Sequence, residues 1–103
     1  MSKKTNQDIK QLRAIGHKLK PVVTVAGKGL SEAVVAEVDR ALSQHELIKI
    51  KLAVGGKDAK NAVTEEICER SGAEVVQSIG NVILVLRRTA KPDPRLSNLI
   101  RPV

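Results

Sequence analysis

Two short segments carry the residue types for anion chemistry: Ala26-Gly27-Lys28-Gly29 and Gly55-Gly56-Lys57-Asp58. In each, glycine lets a ligand come close to the backbone, and a lysine adds a full positive charge. Each stands where a strand hands over to a helix. The first N–H groups of a helix lack intrahelical partners and carry partial positive charge. A phosphate is the natural occupant of such a place. Ordinary strand-to-helix turns use the same residues, so one such loop says little. Two of them at one sheet edge, each with a lysine, favour a binding site. Neither segment fits G-x-x-x-x-G-K-[ST], and no G-x-G-x-x-G occurs, so no cofactor is expected.

Other chemistry is sparse. His17 and His45 are the two histidines and Cys68 is the one cysteine, which gives no zinc spacing. His45 ends a predicted helix, where a basic residue suits the helix dipole. His17 adjoins a basic stretch and is read as solvated. Cys68, inside a predicted helix, is read as packing. Glu65, Glu66 and Glu69 read as a solvated helix face. No acid–base pair stands near either glycine loop, so no enzyme is expected.

The elements that must position the loops follow from periodicity. Residues 5–16 read as a helix with Ile9, Leu12 and Ile15/Gly16 on its apolar stripe, capped by Thr5 or Asn6. Lys20-Pro21 breaks it. Residues 21–25, Pro-Val-Val-Thr-Val, are rich in β-branched residues and read as a strand. Ser31 caps a helix over 31–45, with Leu30, Val34, Val38, Ala41 and Leu42 on one side. Residues 47–54 alternate: Ile48, Ile50, Leu52 and Val54 face a core, Lys49 and Lys51 the other way. Asp58 is the expected N-cap of a helix over 59–71 that Gly72 stops. Residues 73–79 and 82–88 form a hairpin across Gly80-Asn81. The order α-β-α-β-α-β-β predicts one compact α/β domain. Its mixed four-stranded sheet packs against helices, with parallel crossovers and a final antiparallel hairpin. No internal repeat appears. The folded part is placed at 1–89. Residues 90–103, with Pro92, Pro94 and Pro102, are expected to be a poorly ordered basic tail.

Composition narrows the function. The 103 residues include no Phe, Tyr or Trp, so aromatic base-stacking platforms, methyl-cation cages and aromatic membrane anchors are excluded. One cysteine allows no intrachain disulfide and fits a reducing, cytoplasmic setting. The polar N-terminus offers no signal-peptide stretch, and the longest apolar run, residues 82–86, is far too short to span a bilayer. The net charge of +7 is uneven: +6 over residues 1–30, −3 over 31–86 and +4 over 87–103. Two basic ends around a mildly acidic middle suggest a polyanion-binding surface or, more blandly, solvated tails. Charge does not distinguish RNA, DNA or an anionic membrane.

Four runs together resemble a known family: Leu19-Lys20-Pro21-Val22-Val23, Gly29-Leu30-Ser31-Glu32, His45-Glu46-Leu47-Ile48-Lys49-Ile50-Lys51 and Ile79-Gly80. In order and spacing they resemble bacterial stand-alone CRM domains of the YhbY type, over about residues 5–89, with 45–51 the most specific block. The resemblance implies a fold similar to the C-terminal domain of bacterial translation initiation factor three. It implies RNA binding, association with precursors of the large ribosomal subunit and a role in ribosome assembly. Plant relatives serve organellar intron splicing. The family's GxxG loop, likened to the backbone clamp of KH domains, falls on Ala26-Gly27-Lys28-Gly29. Its second glycine is Gly29, but Ala26 stands at the first. If position 26 required positive φ, alanine there would be strained by roughly 1–2 kcal/mol. Relatives often carry Tyr near the end of the last strand, where this chain has Leu86 before Arg87.

The expected RNA-binding set is therefore Ala26, Gly27, Lys28 and Gly29, with Lys57 on the same edge. Arg13, Lys18 and Lys20 would extend it, and Arg87 with Arg88 would reach it from the last strand. Lys49 and Lys51 either join the patch or solvate a sheet face. The expected partner is ribosomal RNA in pre-large-subunit particles. The alternatives are a basic protein-interaction adaptor and, further off, an enzyme on a small phosphorylated ligand.

Overall fold

The computed structural model describes residues 6–27, 29–89 and 97–99. Lys28, the proposed cap Thr5 and the tail prolines lie outside the described residues. The elements are α1 (Asn6–His17), β1 (Pro21–Val25), α2 (Glu32–His45), β2 (Leu47–Leu52), α3 (Lys57–Ser71), β3 (Glu74–Ile79) and β4 (Val82–Leu86). The predicted order holds, as does the mixed four-stranded sheet of one compact α/β domain. Its strand order is β1-β2-β4-β3. β1 and β2 run parallel, and β4 lies antiparallel to both β2 and β3. The α3 crossover therefore skips one strand, and the closing hairpin fills the gap.

Two helices pack on one face and one on the other. α2 packs on β1 and β2 and touches α3, which packs on β3, whereas α1 lies on β2 and β3. The larger core joins Val23, Val25, Ile48, Ile50, Leu52, Ile83 and Val85 of the sheet to Val38 and Leu42 of α2 and Val63 and Ile67 of α3. The smaller core joins Leu12 of α1 to Leu47, Leu84 and Leu86, with Ile15, Leu19, Val76 and Leu99 packed against it. Central strands buried on both faces read as unbroken apolar runs, and residues 82–86 are such a run. Gly16 allows the helix to come this close. A Cβ there would overlap Leu84 Cδ2 and stand 2.8 Å from its Cδ1.

The structure moves some expected boundaries. β2 ends at Leu52 rather than 54, because Lys51 pairs with Val82 and the hairpin turn begins there, leaving no further β4 partner. α3 starts at Lys57. Its N-cap is Gly56 at φ +80°, with no side-chain cap bond, and Asp58 sits in the first turn instead of at the cap. Ser31 does cap α2, its Oγ accepting from Val34 N at 3.2 Å. The poorly ordered tail is corrected in part: Ser97 and Asn98 are buried, and Leu99 packs on the smaller core. Asn98 holds them there, donating from Nδ2 to Leu47 O at 2.6 Å and from its backbone N to His45 O at 2.9 Å.

Candidate nucleic-acid interface

Parallel pairing of β1 and β2 puts both glycine loops at one end of the sheet. Ala53 N donates to Val25 O at 2.7 Å, and Leu52 N donates to Asn81 O at 2.6 Å. Those bonds hold the 26–29 loop, the 53–56 loop and the Gly80-Asn81 hairpin side by side. The first loop closes as a turn, with Gly29 N donating to Ala26 O at 2.9 Å. Among its described residues the positive φ falls on Gly29, at +88°, and Ala26 is not among the positive-φ residues. The departure at the first GxxG position thus carries no backbone strain. The bend is made by the glycine that the sequence keeps.

Two other glycines are more telling. Gly27 and Gly55 do not have positive φ, and a Cβ on either would meet no atom within 4 Å. Neither backbone conformation nor internal packing requires glycine there. What glycine provides at those positions is bare backbone facing outward.

The two helix N-termini at this end differ. At α2 the Ser31 hydroxyl takes one first-turn N–H, and Glu32 Oε1 accepts from Arg70 Nη2 at 3.0 Å. At α3 no side chain caps the first turn, and Lys57 is exposed as its first residue. The more open anion seat is therefore the Gly55-Gly56-Lys57 corner, although the carboxylate of Asp58 stands in that same turn.

The expected patch is not one cluster. Lys18 and Lys20 precede β1 and the 26–29 loop follows it, so a five-residue strand, about 16 Å long, separates them. They line a shallow pocket of about 280 Å³ with Val22, His45, Ile48 and Asn98. Arg13 projects from α1 toward the β3 edge. With the Gln77 amide turned oxygen-first, that oxygen accepts from Arg13 Nε at 2.9 Å and Nη2 at 3.2 Å. Arg87 departs furthest from expectation. Its Nη1 donates to Asp39 Oδ1 at 2.6 Å and to Ser71 O at 2.8 Å. Its Nη2 donates to Asp39 O and to Ser43 Oγ, both at 2.9 Å. The guanidinium ties the end of β4 to α2 and α3 at the end of the sheet away from the glycine loops. Arg88 is exposed at that same end.

Burial, and secondarily the Glu74 carboxylate, push the Cys68 thiol above its usual range, so it stays protonated at neutral pH and is a poor nucleophile. Among the described residues no group of three His, Cys, Asp or Glu is placed to hold a metal ion. No described helix is long and apolar enough to cross a membrane.

The family model of the CRS1 / YhbY (CRM) domain matches residues 5–87. The chain belongs to that family. It is 50% identical over 97 residues to the Probable RNA-binding protein PA4753 of Pseudomonas aeruginosa, covering 94% of this chain and 93% of that one. It is 40% identical over 76 residues to an RNA-binding protein of Haemophilus influenzae, covering 74% of this chain and 77% of the relative. The solution structure of the Staphylococcus aureus protein SAV1595 superposes with a TM-score of 0.74 at 28% identity, over 84% of this chain and 91% of that one.

Proposed function

We propose that this protein is a non-enzymatic RNA-binding protein of the cytoplasm. It holds ribosomal RNA of the immature large subunit by its phosphate backbone. The observation that carries this is the loop end of the sheet. Three turns lie edge to edge there, and Gly27 and Gly55 expose backbone that the fold itself does not need bare. RNA phosphates would sit on the N–H groups of the 26–29 loop and of the first turn of α3, with Lys28 and Lys57 supplying charge. Lys18 and Lys20, about one strand length away, would meet phosphates further along the same RNA. The relatives named as RNA-binding support the partner class.

Filter binding of ribosomal RNA fragments across salt tests this. Three or four phosphate contacts predict a log–log slope between about −2 and −4. Salt-independent or absent binding overturns it. A sucrose gradient then tests the ribosomal part, with the protein expected to sediment with immature large subunits.

The glycines give a sharper check. Gly27→Ala/Gly55→Ala is expected to leave thermal stability unchanged, or to raise it by roughly 0.4–1 kcal/mol per site by restricting the unfolded chain. The same variant is expected to weaken RNA binding several-fold, because the added methyl groups stand where the RNA backbone approaches. Unchanged RNA affinity would show that these glycines face no ligand.

A further inference from the structure

On the α1 face of the sheet, the half toward the loop end is open. Pairing places Pro21, Lys49, Leu84 and Gln77 in one row across the four strands. Thr24, Lys51, Val82 and Ile79 form the next row. α1 reaches the first row, with Gly16 against Leu84 and Arg13 at Gln77, and ends there at His17; Thr24, Lys51 and Ile79 of the second row are exposed. What remains is a cavity of about 230 Å³ lined by His17, Pro21, Lys49, Gln77, Ile79, Val82 and Leu84. Its rim carries Ile79, 64% exposed and the most exposed large apolar residue described.

The chemistry of the lining is specific. Floor and rim are aliphatic. Among the described residues the ammonium groups of Lys49 and Lys51 have no hydrogen-bond or ion-pair partner, and no acidic residue lines the cavity. Gln77, held at its amide oxygen by Arg13, keeps its NH2 donors. His17 brings an aromatic ring, and imidazole is one of the rings on which RNA bases stack. An apolar slot with a ring at one wall, an amide and an ammonium at its polar edge and a second ammonium in the next row suits a flat heterocycle that carries a phosphate. Strand β3 leads from the cavity to the Gly80-Asn81 hairpin, which is hydrogen-bonded into the loop end.

The geometry points to this cavity as the seat of an unpaired nucleobase of the bound RNA, with Lys51 on the adjoining phosphate. This inference rests on the RNA-binding reading and adds base contact to it. A strand whose phosphates lie on the glycine loops would turn one base into the sheet face.

The test uses the full chain and three probes: an unstructured ten-nucleotide RNA, the same strand with abasic riboses, and an RNA duplex. Wild type is expected to bind the base-bearing strand about five- to ten-fold more tightly than the abasic one, the scale of one stacked base. Ile79→Asn, at an exposed site and neutral in charge, is expected to remove that preference without changing duplex binding or melting temperature. His17→Ala is expected to do the same. Equal wild-type binding of base-bearing and abasic strands overturns the base seat while leaving backbone binding intact. So does an Ile79→Asn variant that keeps the preference. Failure of wild type to bind any of the three RNAs overturns the RNA-binding reading itself. An Ile79→Asn variant with normal RNA affinity that no longer sediments with ribosomal particles would assign the face to a protein partner and likewise overturn the base seat.

Discussion

Glu46→Ala is expected to destabilise the domain by about 3 kcal/mol, taking two lost hydrogen bonds to a charged acceptor at about 1.5 kcal/mol each. For a chain of this size that is a drop in melting temperature on the order of 10–20 °C. Glu46 is the C-cap of α2 and, at φ +62°, the one non-glycine residue described with positive φ. Only 3% of it is exposed, yet its carboxylate accepts from Thr89 N at 2.7 Å and from Ser97 Oγ at 2.6 Å. Its carbonyl accepts from Arg87 N at 2.8 Å. One side chain thus fixes the chain leaving β4 and the returning segment 97–99 against the α2–β2 corner. Alanine keeps the positive φ and leaves the buried Ser97 hydroxyl and the half-buried Thr89 N–H without their acceptor. Glycine at the same position also loses the carboxylate but relieves the backbone, so Glu46→Gly should be less harmful than Glu46→Ala by about 1 kcal/mol. Urea denaturation of both variants measures this. A Glu46→Ala cost under about 0.5 kcal/mol would mean that the clamp contributes little.

That clamp was hidden in the sequence, yet a signal for it existed. Helix 31–45 passes into the next strand with no glycine between them, so the reversal falls on an L-residue: Glu46 takes it at φ +62° and ψ −44°, outside the αL region that a C′ glycine usually occupies. His45 does end α2, as a basic residue in its last turn, and the cap itself falls on the next residue, Glu46. The carboxylate's partners lie 43 and 51 residues further on, beyond the reach of any local pattern. The elements themselves were legible because β-branched runs, a serine cap, Gly72 and Gly80-Asn81 all act locally. The second core was less so. A strand with Lys49 and Lys51 on its back face reads as half wet, and only the packing of α1 on Leu47, Leu84 and Leu86 shows that this face is covered at one end and open at the other.

The candidate site divides along the same line. Both glycine loops were readable because strand direction alone puts them at one edge. The same strand direction separates Lys20 from Ala26, Gly27 and Gly29, since residues 21–25 lie between them. A net charge summed over residues 1–30 hides that distance. Which way Arg87 points depends on the β2–β4 register, and it points to Asp39. The absence of Phe, Tyr and Trp remains a firm exclusion of the usual sheet-face stacking. It does not exclude stacking altogether, because the imidazole of His17, which lines the cavity, is also a ring.

Lys28→Glu/Lys57→Glu is expected to lower RNA affinity at least ten-fold near 0.1 M salt. The salt slope should flatten by about two, one unit for each lost phosphate contact. The loss should be uniform across RNA sequences, since neither lysine would read a base. Lys57 is exposed at the first turn of α3, so melting should be unaffected. Charge reversal there also places a second carboxylate beside Asp58, at the positive end of the helix dipole. That arrangement favours the helix while repelling the RNA, so folding and binding should move apart. The matched variant Lys18→Glu/Lys20→Glu reverses the same number of charges at the other end of β1. If RNA lies only on the loop end, that variant should lose little beyond the long-range field. If RNA runs the length of β1, the two double variants should lose similar affinity. A folded Lys28→Glu/Lys57→Glu protein that binds as tightly as wild type would remove the loop end as the binding site.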